Sequence, residues 1–196
     1  SAEMIRNQVQ AALKEDIGSG DLTASMISRS QKKTAILLGR QNAVVCGKDW
    51  MNESFRNVDE EITVDWMVGD GEHVLENSCW CSIYGSAQTV LTAERTAINF
   101  LQILSGTATM TRMMVDKIID LPTALLDTRK TIPNLRASQK YAVLCGGGLN
   151  HRKGLFDIPL IKENHIRAAG SITQAIKNII KTGVLADSLQ VEVESL

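Results

Sequence analysis

Proline is scarce in this sequence, with 3 among 196 residues, while apolar residues reach 44%. Such a chain does not read as disordered, because it can bury enough apolar surface to offset the entropy of ordering. A run of about 18 apolar residues is missing, which excludes a helical membrane span at this level. An excess of charge is missing too: 21 basic and 22 acidic side chains leave a net charge of −1. That balance argues against a protein that coats nucleic acid, yet leaves room for a local cationic pocket. Only 3 histidines accompany the 4 cysteines, and Cys46, Cys79, Cys81 and Cys145 include no Cys-x-x-Cys pair. The sequence clustering typical of zinc ligands is absent. These residues are therefore read as reduced, inert core thiols, with a reducing cytoplasm as the expected setting. Cys79 and Cys81 share parity in an apolar stretch, which puts both on one face of a strand. No charged-then-apolar leader opens the sequence.

What is present divides into two grammars. Ile5, Val9, Ala12 and Leu13 recur at helical spacing and predict a helix over 4–14, closed by the Gly18-Ser19-Gly20-Asp21 loop. Residues 34–40 read as a strand covered on both faces, with Ala35 and Leu37 on one side and Ile36 and Leu38 on the other. A short apolar run at 43–46, a helix at 48–56, and strands at 62–66 and 78–84 complete an α+β pattern. Gly69-Asp70-Gly71 is a turn signal with a structural role. Residues 91–104 and 107–119 then predict two helices, with Ser105-Gly106 as the stop between them.

The second grammar is strand–helix alternation. Short apolar strands are expected at 123–126, 158–161 and 189–193, about 35 and 32 residues apart, with helices at 135–144 and 172–180 between them. Parallel strands need such crossovers, and the pattern fits an α/β barrel or layered sheet. Charged residues follow each strand: Asp127-Thr128-Arg129-Lys130, then Lys162-Glu163-Asn164-His165, then Glu192 and Glu194. In a barrel that is the face on which sites are built. Three parallel strands leave an open apolar edge, so the sequence reads as the first part of a longer barrel. The expected division is 1–105, an α+β sandwich-like domain with a connecting helix, and 106–196, a partial α/β barrel.

The cations Arg95, Arg129, Lys130, Arg152 and Lys162 suit an anion pocket, since arginine clamps carboxylates in bidentate fashion and lysine supplies a point charge for phosphate. Solvated surface charges are the alternative for each taken singly. His151 is either a donor to an anion or a turn residue after Gly146-Gly147-Gly148, which reads as a helix exit more than as a phosphate loop. Glu192 and Glu194 share parity; they either take part in a Mg²⁺ site or pair with Lys162 or its neighbours. No Walker loop, Rossmann fingerprint or Ser-His-Asp arrangement is present.

Five stretches resemble one family: Glu15-Asp16-Ile17-Gly18-Ser19-Gly20-Asp21-Leu22-Thr23, Thr92-Ala93-Glu94-Arg95-Thr96-Ala97-Ile98-Asn99-Phe100-Leu101, Leu126-Asp127-Thr128-Arg129-Lys130-Thr131, Gly146-Gly147-Gly148-Leu149-Asn150-His151-Arg152 and Ile161-Lys162-Glu163-Asn164-His165. In that order they are similar to quinolinate phosphoribosyltransferase, also called nicotinate-nucleotide pyrophosphorylase (carboxylating). The resemblance implies phosphoribosyl transfer from phosphoribosyl pyrophosphate to quinolinate with decarboxylation. The products would be nicotinate mononucleotide, pyrophosphate and CO₂, in de novo NAD biosynthesis. It implies Mg²⁺ and a homodimer in which Arg95 reaches the partner's site. Arg95, Arg129, His151 and Arg152 would hold the two carboxylates, and Thr128 would line the pocket. Lys130, Lys162 and Glu192 are the candidate catalytic residues: the lysines would contact phosphoribosyl pyrophosphate, and Glu192 would sit near its ribose and Mg²⁺. The family pattern continues past residue 196 with a further strand and glycine-rich phosphate loops, so a fragment retaining only carboxylate binding or dimer assembly is the alternative. A related enzyme acting on a monocarboxylate is a third reading.

Overall fold

A computed structural model describes residues 1–195. The chain divides into two compact units, Ser1–Asn150 and His151–Leu196.

The first unit begins with helix α1 (Ala2–Ile17), where Ser1 Oγ accepts from the Met4 N–H and Glu3 and Lys14 sit at the ends that the helix dipole favours. Its buried residues are Val9 and Leu13. Strands β1 (Lys32–Leu38), β2 (Ala43–Val44), β3 (Thr63–Trp66), β4 (His73–Val74) and β5 (Cys79–Ser86) follow, with helix α2 (Lys48–Val58) between β2 and β3. An antiparallel sheet of order β1-β5-β3 and a small β2-β4 ribbon result. Helices α3 (Ala87–Asp116) and α4 (Arg136–Cys145) complete the unit. Met51, Phe55, Ile83, Ala93 and Leu101 form one core between sheet and helices. Val9, Trp50, Phe100, Leu104 and Ala142 form a second, where α1, α2, α3 and α4 meet. Gln8 joins those helices with polar bonds: its Oε1 accepts from Trp50 Nε1 and Ser138 Oγ, both at 2.7 Å.

Three expectations fail between residues 1 and 116 of this unit. β1 is packed on one face only, through Ala35 and Leu37, while Ile36 and Leu38 are exposed. The apolar run signals β propensity without saying that both faces are covered. Cys79 and Cys81 do not share a face, because a register shift pairs Leu37 with Cys81 but Leu38 with Cys79. The extra residue, Trp80, turns the parity over. Cys81 is buried, whereas Cys79 is half-buried, its thiol 4.0 Å from Met67 Sδ. Finally, α3 runs unbroken through Ser105-Gly106. Ser105 is no stop, since its hydroxyl accepts from the Cys46 N–H at 3.0 Å and donates to the Cys46 carbonyl at 3.1 Å. Packing overrides the weak propensity of one glycine.

The second grammar is present in shortened form. No strand forms at 123–126; a single parallel bridge joins Leu126 to Leu149. In the second unit, β6 (Leu160–Ile161) and β7 (Gln190–Val191) pair in parallel. Two helices, α5 (Glu163–Ala169) and α6 (Ile172–Ile180), lie between them in sequence. The Lys162–His165 stretch that follows β6 starts helix α5: His165 Nδ1 accepts from the Lys162 N–H at 2.9 Å. Glu192 and Glu194 fall past the end of β7 and are exposed, so they are not interior strand carboxylates. No sheet closes into a barrel among the described residues, and none of their helices is long and apolar enough to cross a membrane.

The α3–α4 contact is built on Gly146. A Cβ there would lie 2.5 Å from both the Ala108 carbonyl oxygen and Thr111 Cβ, whereas one on Gly106 would meet nothing within 4 Å. Gly146→Ala is therefore expected to destabilise the chain by about 1–3 kcal/mol through overpacking. Gly106→Ala, on the exposed side of α3, is expected to stabilise it by about 0.5–1 kcal/mol. Urea unfolding of the two variants checks both signs.

Candidate functional site

In the first unit, the candidate residues grow out of a buried ion pair. The Lys140 ammonium on α4 contacts the Asp127 carboxylate, with side-chain exposures of 4% and 6%. Burying two charges is tolerable only where their remaining bonds are satisfied. Asn150 contributes: with its amide turned to suit both partners, it donates to Asp127 Oδ2 at 2.7 Å and to the Lys140 carbonyl at 2.9 Å. The chain around the pair is stitched by backbone bonds, Asp127 N–H to Leu149 O at 3.1 Å and Leu149 N–H to Leu125 O at 2.8 Å. Sequence reasoning passed over Asp127, Lys140 and Asn150 as functional residues. The available signal was a lysine just before the run Tyr141-Ala142-Val143-Leu144, and that signal is weak.

Thr128, Arg129 and Lys130 leave this anchored point. Thr128 Oγ1 accepts from the Lys130 N–H at 3.0 Å, which bends the segment. The Arg129 Nε is buried without a hydrogen-bond partner among the described residues, an uncompensated donor that an anion would satisfy. Thr128 and Lys130 line a pocket of about 260 Å³ together with Thr111, Leu126, Gln139 and Val143. Arg95 is exposed on α3.

In the second unit, Lys162 and Glu192 follow the C-terminal ends of the adjacent parallel strands β6 and β7, with Nζ and Oε2 2.7 Å apart. Glu192 thus pairs with Lys162; Glu194 is exposed nearby in sequence. His151 Nε2 lies 2.6 Å from Gln190 Oε1. Arg152 is 8% exposed, and one guanidinium nitrogen donates to the Ile158 carbonyl at 3.4 Å. The loop after it is ordered by Asp157, which accepts from the backbone N–H groups of Lys153, Gly154 and Ile158. Those donors hold the Asp157 carboxyl well down, at a pKa of about 2. The carboxyl remains ionised throughout the neutral range.

Of the two clusters, the buried pair carries the larger energetic stake. Lys140→Met leaves Asp127 charged and buried, and is expected to cost about 3–5 kcal/mol. The double variant Asp127→Asn/Lys140→Met is expected to cost less than the sum of its single changes by about 0.5–3 kcal/mol. A urea-unfolding double-mutant cycle reads the difference; additive costs would contradict coupling.

A family model described as quinolinate phosphoribosyl transferase, N-terminal domain, matches residues 21–105, and the corresponding C-terminal domain matches residues 107–196. A chloroplastic carboxylating nicotinate-nucleotide pyrophosphorylase of Arabidopsis thaliana is 39% identical over 193 residues, covering 96% of this chain and 55% of the relative. The chain thus spans about half the length of that curated relative. The solved nicotinate-nucleotide pyrophosphorylase of Francisella tularensis is 43% identical with a TM-score of 0.93, covering 100% of this chain and 69% of that one. The solved NadC of Streptococcus pyogenes is 36% identical with a TM-score of 0.94, covering 100% and 70%. Two adjoining domain matches, a full-length structural likeness and identity above a third place this chain in the quinolinate phosphoribosyltransferase family.

Proposed function

We propose that this chain serves the reaction in which quinolinate accepts the phosphoribosyl group of phosphoribosyl pyrophosphate and loses CO₂, giving nicotinate mononucleotide and pyrophosphate for de novo NAD synthesis. The observation that carries the reading is the Lys162–Glu192 pair at the C-terminal ends of two parallel strands, the end at which such sheets build sites. Opposite charges held next to each other without substrate can be parted by one that carries both a polyanion and a sugar. Lys162 would then turn to the diphosphate, and Glu192 to the ribose.

The residue types suit both substrates. Arg129, with its unpartnered Nε, and Arg152 are assigned to the two carboxylates, with His151 as a further donor. Lys130 is assigned to phosphoribosyl pyrophosphate, and Thr128 to the pocket wall. Arg95 is exposed, which suits its assignment to a partner's site in a homodimer. Glu192 presents one exposed carboxylate, and Mg²⁺ in the proposed site would be held by it together with substrate oxygens, as is usual for this ion. Mg²⁺ would supply neutralisation of the diphosphate charge.

In the reaction, the lone pair of the ring nitrogen forms a bond to the anomeric carbon as the bond from that carbon to the diphosphate oxygen breaks. The diphosphate leaves with the electron pair. Fixed cations that strengthen their hold as charge moves onto that oxygen lower the barrier. The ring nitrogen is now cationic. The adjacent carboxylate departs as CO₂, its bonding electrons remain on the ring carbon beside the positive nitrogen, and a proton from solvent completes the product. Arg129 and Arg152 need only orient the carboxylates. No nucleic acid or membrane enters this reading, and a cytoplasmic location belongs to it. Carboxylate binding without turnover is the second reading, and it rests on the buried, unpartnered Arg129 Nε alone.

Release of labelled CO₂ from carboxyl-labelled quinolinate tests the proposal. Release is expected to require phosphoribosyl pyrophosphate and Mg²⁺, and to fall by about 10²–10³ in kcat for Lys162→Met, the usual cost of removing a group that stabilises transition-state charge. Quinolinate binding without release would favour the second reading, and release without the phosphoribosyl donor would contradict the chemistry.

A further inference from the structure

Three side chains far apart in sequence, none of them assigned to substrate, converge within the first unit. Cys46 lies just before α2 and is fully buried, Asp70 lies in the Gly69–Gly71 turn, and Cys145 ends α4. One ligand atom from each, the two thiol sulfurs and a carboxylate oxygen, all lie within 4.8 Å of one another. We propose that Cys46, Asp70 and Cys145 form a binding site for a thiophilic divalent cation, with zinc the best chemical match.

Each donor is held by its surroundings. The Cys46 backbone is clamped on both sides by Ser105 Oγ, at 3.0 Å from its N–H and 3.1 Å from its carbonyl. Asp70 Oδ1 accepts from the N–H groups of Gly47 and Lys48 at 3.1 and 3.3 Å, and Oδ2 accepts from the Tyr141 hydroxyl at 2.9 Å. The Gly71 N–H donates to the Val45 carbonyl at 2.8 Å, which closes the Asp70 turn onto the residue before Cys46. Cys145 approaches Gly71 so closely that a Cβ there would touch its carbonyl oxygen at 3.5 Å. Carboxylate ligands oriented by outer hydrogen bonds in this way are a regular feature of metal centres.

The donor set selects the ion. Two sulfurs and one carboxylate suit zinc, whereas magnesium and calcium take oxygen ligands. Bond lengths of about 2.3 Å to sulfur and 2.0–2.2 Å to oxygen put tetrahedral ligands somewhat closer than the observed 4.8 Å bound. Small side-chain rotations close that gap. Water or the Tyr141 hydroxyl would fill the fourth position. A disulfide would use the two sulfurs but not the carboxylate oxygen that lies within 4.8 Å of both. A cation instead compensates the charge of all three. Bound there, it would tie the end of α4 to the β2–α2 corner and to the β3–β4 turn. Spacing rules miss the site because no two of its ligands are near in sequence.

Titration of the reduced, chelator-treated 196-residue chain with Co²⁺ and then Zn²⁺ tests this. The thiolate-to-cobalt charge-transfer absorption is expected to saturate at one equivalent, to vanish on adding zinc, and to be lost in Cys145→Ser and in Cys46→Ser. Circular dichroism confirms that the half-buried Cys145→Ser variant stays folded. Asp70→Asn is expected to weaken cobalt binding about 10-fold or more. Absence of the band at millimolar cobalt overturns the proposal. So does a band that survives both cysteine changes, or a freshly purified metal-free chain lighter by two hydrogens, which would show a disulfide.

Discussion

The buried pair of Asp127 and Lys140 is the constraint on which the C-terminal part of the first unit depends. Neither charge is worth burying alone, so each fixes the other. Lys140 thereby sets the rotation of α4, and Asp127 sets the start of the Thr128-Arg129-Lys130 segment. Asn150 bonds to both and so secures the chain after Gly146-Gly147-Gly148. The bridge between Leu126 and Leu149 is only one residue long. What a full strand would supply through its ladder, this polar cluster supplies through charge and hydrogen bonds.

Much of this was legible in the sequence where periodicity is strong. α1, α2, α4 and α6 follow from apolar spacing, and β3 and β5 from alternation. The failures have identifiable causes. Ser105-Gly106 looks like a stop, yet the Ser105 hydroxyl is used by Cys46 from a distant segment, which no local rule reports. The parity of Cys79 and Cys81 is broken by a bulge that only the partner strand reveals. Ile36 and Leu38 read as core and are exposed. The strand at 123–126 was read from apolar content alone, whereas pairing partners decide whether a strand forms.

The site was legible to a similar extent. The cations Arg129, Lys130 and Lys162 stand out because they follow apolar runs, and Lys162 does end up beside Glu192. Residues that support such cations are harder to see. Asp157, Gln190, Lys140 and Asn150 act through bonds to backbone or side chains that sequence spacing does not encode. The same holds for Cys46, Asp70 and Cys145, whose separation in sequence conceals their convergence.

The proposed function depends on fixed cations of this chain recognising an aromatic dicarboxylate. Calorimetric titration with quinolinate and, separately, with nicotinate tests it most directly. A second carboxylate held by charged hydrogen bonds is worth about 1.5–3 kcal/mol, or about 10- to 100-fold in affinity. Quinolinate is expected to bind more tightly than nicotinate by that factor. Equal affinities, or binding of neither, would contradict it.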